Sequence, residues 1–342
     1  MAYNSYNRIL PYPVLIIILL FYAVLSISRN GLWNEEISLW EDTVKKAPFK
    51  ARPHNNLGVA YKEDGLSDDA VREFNSALSI EPNYFLARYN LGVIYKEKGL
   101  IDEAIEEYGK VVSMKPDFYN AYNNIGIIYK ERGMLDEAER VYRHMADLEP
   151  SNHLAFVNLG ELYMDKGVLR EAEKNLSLSL ELNPWNSVAH YNLGQTYFMM
   201  GRVEEAERAF QAALEIDPLY GFAHSGIGQV HMVKGFTDEA LSEFRRAIEL
   251  GVDDYATHYN LAALYTKRGL WDDARREYRA ALQEEPGDCE ALYGEALSLD
   301  KGDYEIEAAS RYKDFIELCG KKEQFMGLLK RVNDRILGMK EE

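Results

Sequence analysis

From residue 51 onward the chain repeats itself with a period of 34, and no other feature limits its possible folds so strongly. Small residues return at Gly58, Gly92, Gly126, Gly160, Gly194, Gly228, Ala262 and Ala296. A second small series runs Ala70, Ala104, Ala138, Ala172, Ala206, Ala240, Ala274 and Ala308. Large apolar side chains follow it four residues later, as at Phe74, Tyr108, Leu176, Tyr278 and Tyr312. A chain of 342 residues would ordinarily suggest one or two globules. Series in register eight times over describe instead a string of like units, each too small to bury its apolar face alone.

Each unit predicts two helices. Helix A carries Leu-Gly-x-x-Tyr spacing, as at Leu91, Gly92 and Tyr95. Gly65, Gly99, Gly133, Gly167, Gly201, Gly235 and Gly269 end it, because glycine takes the left-handed conformation of a helix stop. Helix B sets a small and an aromatic residue four apart, such as Ala104 and Tyr108, so that they share a face. Pro82, Pro116, Pro150, Pro184, Pro218 and Pro286 then prevent its continuation.

This pattern resembles the tetratricopeptide repeat (TPR). The resemblance covers residues 51–322 as eight units and implies an all-α fold, a right-handed TPR superhelix (α–α solenoid). Residues 31–50 read as a half-repeat helix, with Trp40 and Pro48 one period before Phe74 and Pro82. The eighth unit is degenerate: Glu295, Leu299, Asp303 and Gly320 replace the usual leucine, tyrosine, glycine and proline. Residues 323–342 read as a capping helix, with Phe325, Leu329, Val332 and Ile336 on one face to cover the last unit.

Before the repeats, residues 9–28 carry no charge between Arg8 and Arg29. A helix of that length rises about 30 Å, enough to cross a bilayer core. The stretch reads as one N-terminal transmembrane helix, an uncleaved single-pass anchor. A cleaved signal peptide is the competing reading, since Val14 to Leu25 has a suitable length and Ser26 and Ser28 follow. Arg29, Lys45 and Lys46 after the span, against Arg8 before it, favour a cytoplasmic repeat domain, but long domains translocate largely regardless of such counts.

In tetratricopeptide arrays the A helices line the concave face through positions 2, 5, 6, 9, 12 and 13 of the unit, which here begins at Ala51. By that resemblance, position 6 holds Asn56, Asn90, Asn124, Asn158, Asn192 and Asn260, with Gly226 and Gly294 as exceptions. An amide both donates and accepts, so a row of them suits an extended peptide backbone. The row resembles the asparagine ladder that holds substrate polypeptide in O-linked N-acetylglucosamine transferases; the plainer alternative is that each asparagine satisfies local groups. Position 12 holds Lys62, Lys96 and Lys130, then Met164, Phe198 and Met232, with Met199 and Val233 beside the latter. The lysines would steer acidic segments or simply be solvated beside Glu63, Glu97 and Glu131. The apolar group would form an adaptable peptide surface or pack against neighbouring units.

Other signals carry less. His54, His190, His224 and His258 share position 4, often aromatic in these repeats, and read as packing substitutes and not as a metal ladder. Cys289 and Cys319 lie at ends that an antiparallel pair brings together; two free buried thiols are the preferred reading, a disulfide the alternative. No nucleophile elbow, phosphate loop or HExxH occurs, and the reading assigns no catalytic residue, cofactor or metal. A net charge of −17 argues against nucleic acid as a partner.

The junction from Ser28 to Gly58, with Trp33, Trp40, Pro48, Arg52-Pro53-His54 and Asn55-Asn56-Leu57, resembles the join between the last span and the repeats of membrane mannosyltransferases with TPR tails. That resemblance implies repeats facing away from the cytoplasm. It covers the terminal span and tail alone, so catalysis is not implied. The sequence thus describes a non-catalytic, membrane-anchored scaffold binding proteins or extended peptides. The alternative is an accessory subunit or split substrate-binding tail of a membrane glycosyltransferase.

Overall fold

The computed structural model describes residues 36–338, all helices and connecting turns, with no strand among the described residues. The segment 9–28 read as a membrane anchor lies outside the described residues, as do 31–35 of the half-repeat and 339–342 of the cap. Among the described residues, no helix is long and apolar enough to cross a membrane.

Helix α1 (Glu36–Lys46) comes first. Antiparallel pairs follow: α2 (Ala51–Glu63) with α3 (Ser67–Ile80), α4 (Phe85–Glu97) with α5 (Ile101–Met114), and α6 (Tyr119–Glu131) with α7 (Leu135–Leu148). Next come α8 (His153–Asp165) with α9 (Leu169–Leu182), α10 (Ser187–Met199) with α11 (Val203–Ile216), and α12 (Gly221–Lys234) with α13 (Thr237–Glu249). Then come α14 (Tyr255–Lys267) with α15 (Trp271–Glu284), and α16 (Cys289–Lys301) with α17 (Glu305–Cys319). A 3-10 turn (Glu323–Phe325) leads into α18 (Met326–Gly338). This is an all-helical TPR solenoid, whose described residues divide after Leu148 into one body of α1–α7 and another of α8–α18.

Close approach inside each pair explains the small residues. A Cβ added to Gly58 would lie 2.7 Å from the Phe74 ring, and one added to Gly194 would lie 2.6 Å from Phe210. Both rings are fully buried. The alanine series from Ala70 to Ala308 is fully buried as well. A methyl group is the most that these positions of helix B accommodate in a close-packed interior.

The turns follow the same economy of space. The seven glycines that end helix A have φ between 70° and 81°, and after Gly65 the Leu66 N–H donates to the Tyr61 carbonyl (2.8 Å). In the degenerate eighth pair, Asp303 takes that left-handed conformation (φ 64°), which aspartate tolerates better than most residues. The sixth pair lacks the terminal proline; there Gly251 ends the helix and Val252 buries its side chain against Gly221.

The last pair departs from the expectation of two free thiols. Cys289 and Cys319 form a disulfide, because the antiparallel pair brings their Cα atoms to 5.9 Å. Glu295 stands where other units have leucine or isoleucine and is fully buried between Arg279 (3.0 Å) and Arg311 (2.8 Å). Two guanidinium groups compensate the desolvation of that carboxylate. Phe325, Val332 and Ile336 are buried over this pair, and Arg335 donates to Asp300 at 2.8 Å.

Ala138→Leu in α7 is expected to lower stability by about 1–3 kcal/mol through overpacking. Urea denaturation checks this; an unchanged midpoint would refute the register.

Candidate functional site

Within each body the A helices meet one another. Helix α2 packs on α4, α8 on α10, α10 on α12, and α14 on α16; no comparable contact joins successive B helices. Successive A helices therefore form the more crowded side within each body.

The asparagine row is bonded internally. The Asn90 amide donates to Asn55 Oδ1 (3.1 Å), and the Asn55 amide donates to Asn56 (3.3 Å). Asn124 donates to the hydroxyls of Tyr108 (3.1 Å) and Tyr89 (3.3 Å). Asn192 is buried and donates to the Glu161 carboxylate at 2.8 Å. Asn158 on α8 and Asn260 on α14 are half-buried. An amide has two N–H groups and a two-lone-pair acceptor, so one internal bond orients it and leaves capacity for a ligand. The two glycine exceptions have a steric cause: a Cβ on Gly226 would lie 2.7 Å from Phe210, and the Tyr278 ring crowds Gly294 in the same way.

Position 12 differs between the bodies. Lys62, Lys96 and Lys130 are half-buried, and Lys96 pairs with Glu131 of the next unit at 3.4 Å. Met164 is half-buried on α8. Phe198 packs on the cluster of Phe210, Ile227 and Val230, and Met232 packs on the core of the later pairs. The apolar side chains most exposed here are the neighbours at position 13, Met199 (52%) and Val233 (58%). Sequence reasoning passed over a second exposed series at position 2: Leu154, Val188 and Phe222, with Trp185 and Leu219 in the preceding turns. Its signal was present, since three consecutive units are apolar at a position that is arginine, asparagine, alanine or glutamate in most others.

The position 4 histidines are hydrogen-bonded clamps, which corrects their reading as aromatic substitutes. His54 bonds the Glu73 carboxylate (2.6 Å) and the Pro48 carbonyl (3.0 Å). His224 bonds Glu243 (2.6 Å) and the Pro218 carbonyl (3.3 Å). Arg88 does the same with Glu107 (3.1 Å) and the Pro82 carbonyl (3.0 Å), while His190 donates to the Pro184 carbonyl (3.0 Å). Each clamp ties an A helix to the end of the preceding unit. A ring nitrogen separated from its carboxylate partner by nineteen residues gives no short-range sequence signal.

Repeated helix pairs that offer one row of side chains define a class, the α-helical repeat arrays that bind along a surface. The chain belongs to the tetratricopeptide repeat family. The model described as Cilia and flagella-associated protein 70 C-terminal domain matches residues 118–317, and tetratricopeptide repeat models match 51–84, 73–106 and 94–133. A stretch of 56 residues is 34% identical to a protein O-mannosyl-transferase of Caenorhabditis elegans, covering 16% of this chain and 8% of that protein. Among solved structures, the Cut9–Hcn1 assembly of APC/C is similar over 84% of this chain and 56% of its own (TM-score 0.62, 16% identity). Pseudomonas aeruginosa pilF is similar over 62% of this chain and 97% of its own (TM-score 0.57, 19% identity). Yeast Tom70 is similar over 84% and 61% (TM-score 0.55, 17% identity). At these identities the structural likeness concerns the fold.

One clamp makes a pH prediction. His258 is buried and bonds Glu277 (2.7 Å) and Asp253 (2.9 Å). Its pKa is raised from 6.5, first by the Glu277 bond, with burial opposing and Asp253 adding. A raised folded-state value stabilises fully below the unfolded pKa, and that contribution is lost as pH rises through the folded value. The wild type is expected to exceed His258→Gln in urea midpoint most at about pH 6. The gap should shrink towards pH 9; a gap independent of pH would disprove the linkage.

Proposed function

We propose that the chain is a non-catalytic scaffold, held to a membrane by residues 9–28, that binds extended polypeptides on the inner face of its A helices. The observations that carry this reading are the amides of Asn90 and Asn124 in the first body and of Asn192 in the second, each oriented by an internal bond, with Met199 and Val233 exposed on A helices of the second body. Amides spaced by the repeat address the partner's backbone, which every polypeptide shares. Apolar side chains beside them supply affinity that depends weakly on partner sequence. Protein binding is the ordinary use of this fold; the membrane tether is supported by the uncharged run between Arg8 and Arg29.

An extracytoplasmic place for the repeats is supported by the Cys289–Cys319 disulfide, since such bonds persist in oxidising compartments. A second reading is favoured by the stretch shared with the mannosyl-transferase: an accessory subunit or split tail of a membrane glycosyltransferase. A multispan partner that co-purifies would favour it.

Crosslinking pulldown with Asn90, Asn124, Asn158 and Asn192 all changed to Ala is expected to lose most partners recovered by the wild type. Equal recovery of the same partners would end the ladder reading. For the compartment, alkylation before cell lysis followed by mass spectrometry should label neither cysteine without reduction and both after it. Free thiols in the untreated protein would place the repeats on the reducing side.

A further inference from the structure

Positions 4 and 23 of the unit vary together along the array. Glutamate fills position 23 at Glu73, Glu107, Glu243 and Glu277, and position 4 of the same units is His54, Arg88, His224 and His258. Where position 4 is Tyr122, Phe156 or Leu292, position 23 is Val141, Asn175 or Arg311. A carboxylate is set only against a side chain able to carry positive charge.

At each of the three histidines, both ring nitrogens meet groups that accept hydrogen bonds. His54 meets the Glu73 carboxylate (2.6 Å) and the Pro48 carbonyl (3.0 Å). His224 meets the Glu243 carboxylate (2.6 Å) and the Pro218 carbonyl (3.3 Å). His258 meets two carboxylates, Glu277 (2.7 Å) and Asp253 (2.9 Å), and Arg276 lies 3.4 Å from Glu277. A neutral imidazole has one N–H and an imidazolium has two. Both bonds therefore coexist only while the ring and its carboxylates hold two protons between them.

The array contains two comparisons of its own. Arg88 makes the same pair of bonds, to Glu107 and to the Pro82 carbonyl, with a charge it does not lose. His190 has Ala209 at position 23 and bonds the Pro184 carbonyl, for which a neutral ring suffices.

When a ring gives up one proton, the remaining N–H stays with the glutamate at His54 and His224, since a carboxylate is a stronger acceptor than a carbonyl. At His258 it stays with buried Glu277, because exposed Asp253 is readily hydrated. The bond given up is in each case the one that reaches back to the preceding turn. We propose that His54, His224 and His258 are proton-operated latches: they fasten α2, α12 and α14 to the turns before them in acid and release them as pH rises. Three joints of the array thus stiffen on acidification, while the Arg88 and His190 joints do not respond.

Hydrogen exchange of the full-length protein, read by mass spectrometry at about pH 5.5 and about pH 9 and corrected for intrinsic exchange rates, tests this. From the lower pH to the higher, protection of the first turns of α2, α12 and α14 is expected to fall about five-fold, the worth of one hydrogen bond. The first turns of α4 and α10 should keep theirs. His224→Arg, which copies Arg88, should abolish the change at α12 and leave it at α2 and α14. Glu243→Ala, which copies His190 with Ala209, should do the same, so either variant serves if the other fails to fold. Wild-type protection that does not change with pH, or that falls equally in α4 and α10, would overturn the latches. So would a change at α12 that persists in the variants.

Discussion

The structure depends on one contact, repeated: a small residue on helix A against a large apolar side chain on helix B, a ring in most pairs and Leu176 in the fourth. Gly58 with Phe74 and Gly194 with Phe210 leave no room for a Cβ between them. That approach sets the distance between paired helices, and the fully buried alanines of helix B maintain it. Interiors are packed like crystals, so a contact this tight tolerates little variation. Where a ring also leans on the next unit, the next unit yields; Gly226 in front of Phe210 is the result, and it interrupts the asparagine row for a steric reason.

From that spacing follows the surface. Within each body the A helices touch one another, so side chains of successive A helices meet along one side. Side chains there serve the array as well as any partner. The amides of Asn90, Asn124 and Asn192 each bond to a neighbour, which rigidifies them in one orientation. Pre-oriented groups lose less entropy on binding, so an internal bond and a ligand-binding role are compatible. The clamps of His54, Arg88, His190 and His224 hold α2, α4, α10 and α12 to the turns that precede them.

Much of the fold was legible before any coordinates. A period of 34, glycine stops and proline stops are local signals, because each records what the backbone can do at one position. The candidate surface was legible in part. Asparagine at one register stands out in a list of residues, whereas Leu154, Val188 and Phe222 do so only once their exposure is known. Phe198 and Met232 are partly buried against neighbouring clusters, and their sequence neighbours Met199 and Val233 are more exposed. A step of one residue turns a helical side chain by about 100°, enough to change how much of it water reaches.

By itself, then, the sequence determined the repeat, its register, its family and its acidic balance, since these depend on backbone preferences and on counting. Tertiary structure decided which cysteines meet, which histidines clamp and which apolar residues stay in water. Each of those depends on groups far apart in the chain arriving within a few ångströms, as Cys289 does with Cys319 and His258 with Glu277. Packing geometry sets those distances, and no local pattern encodes them.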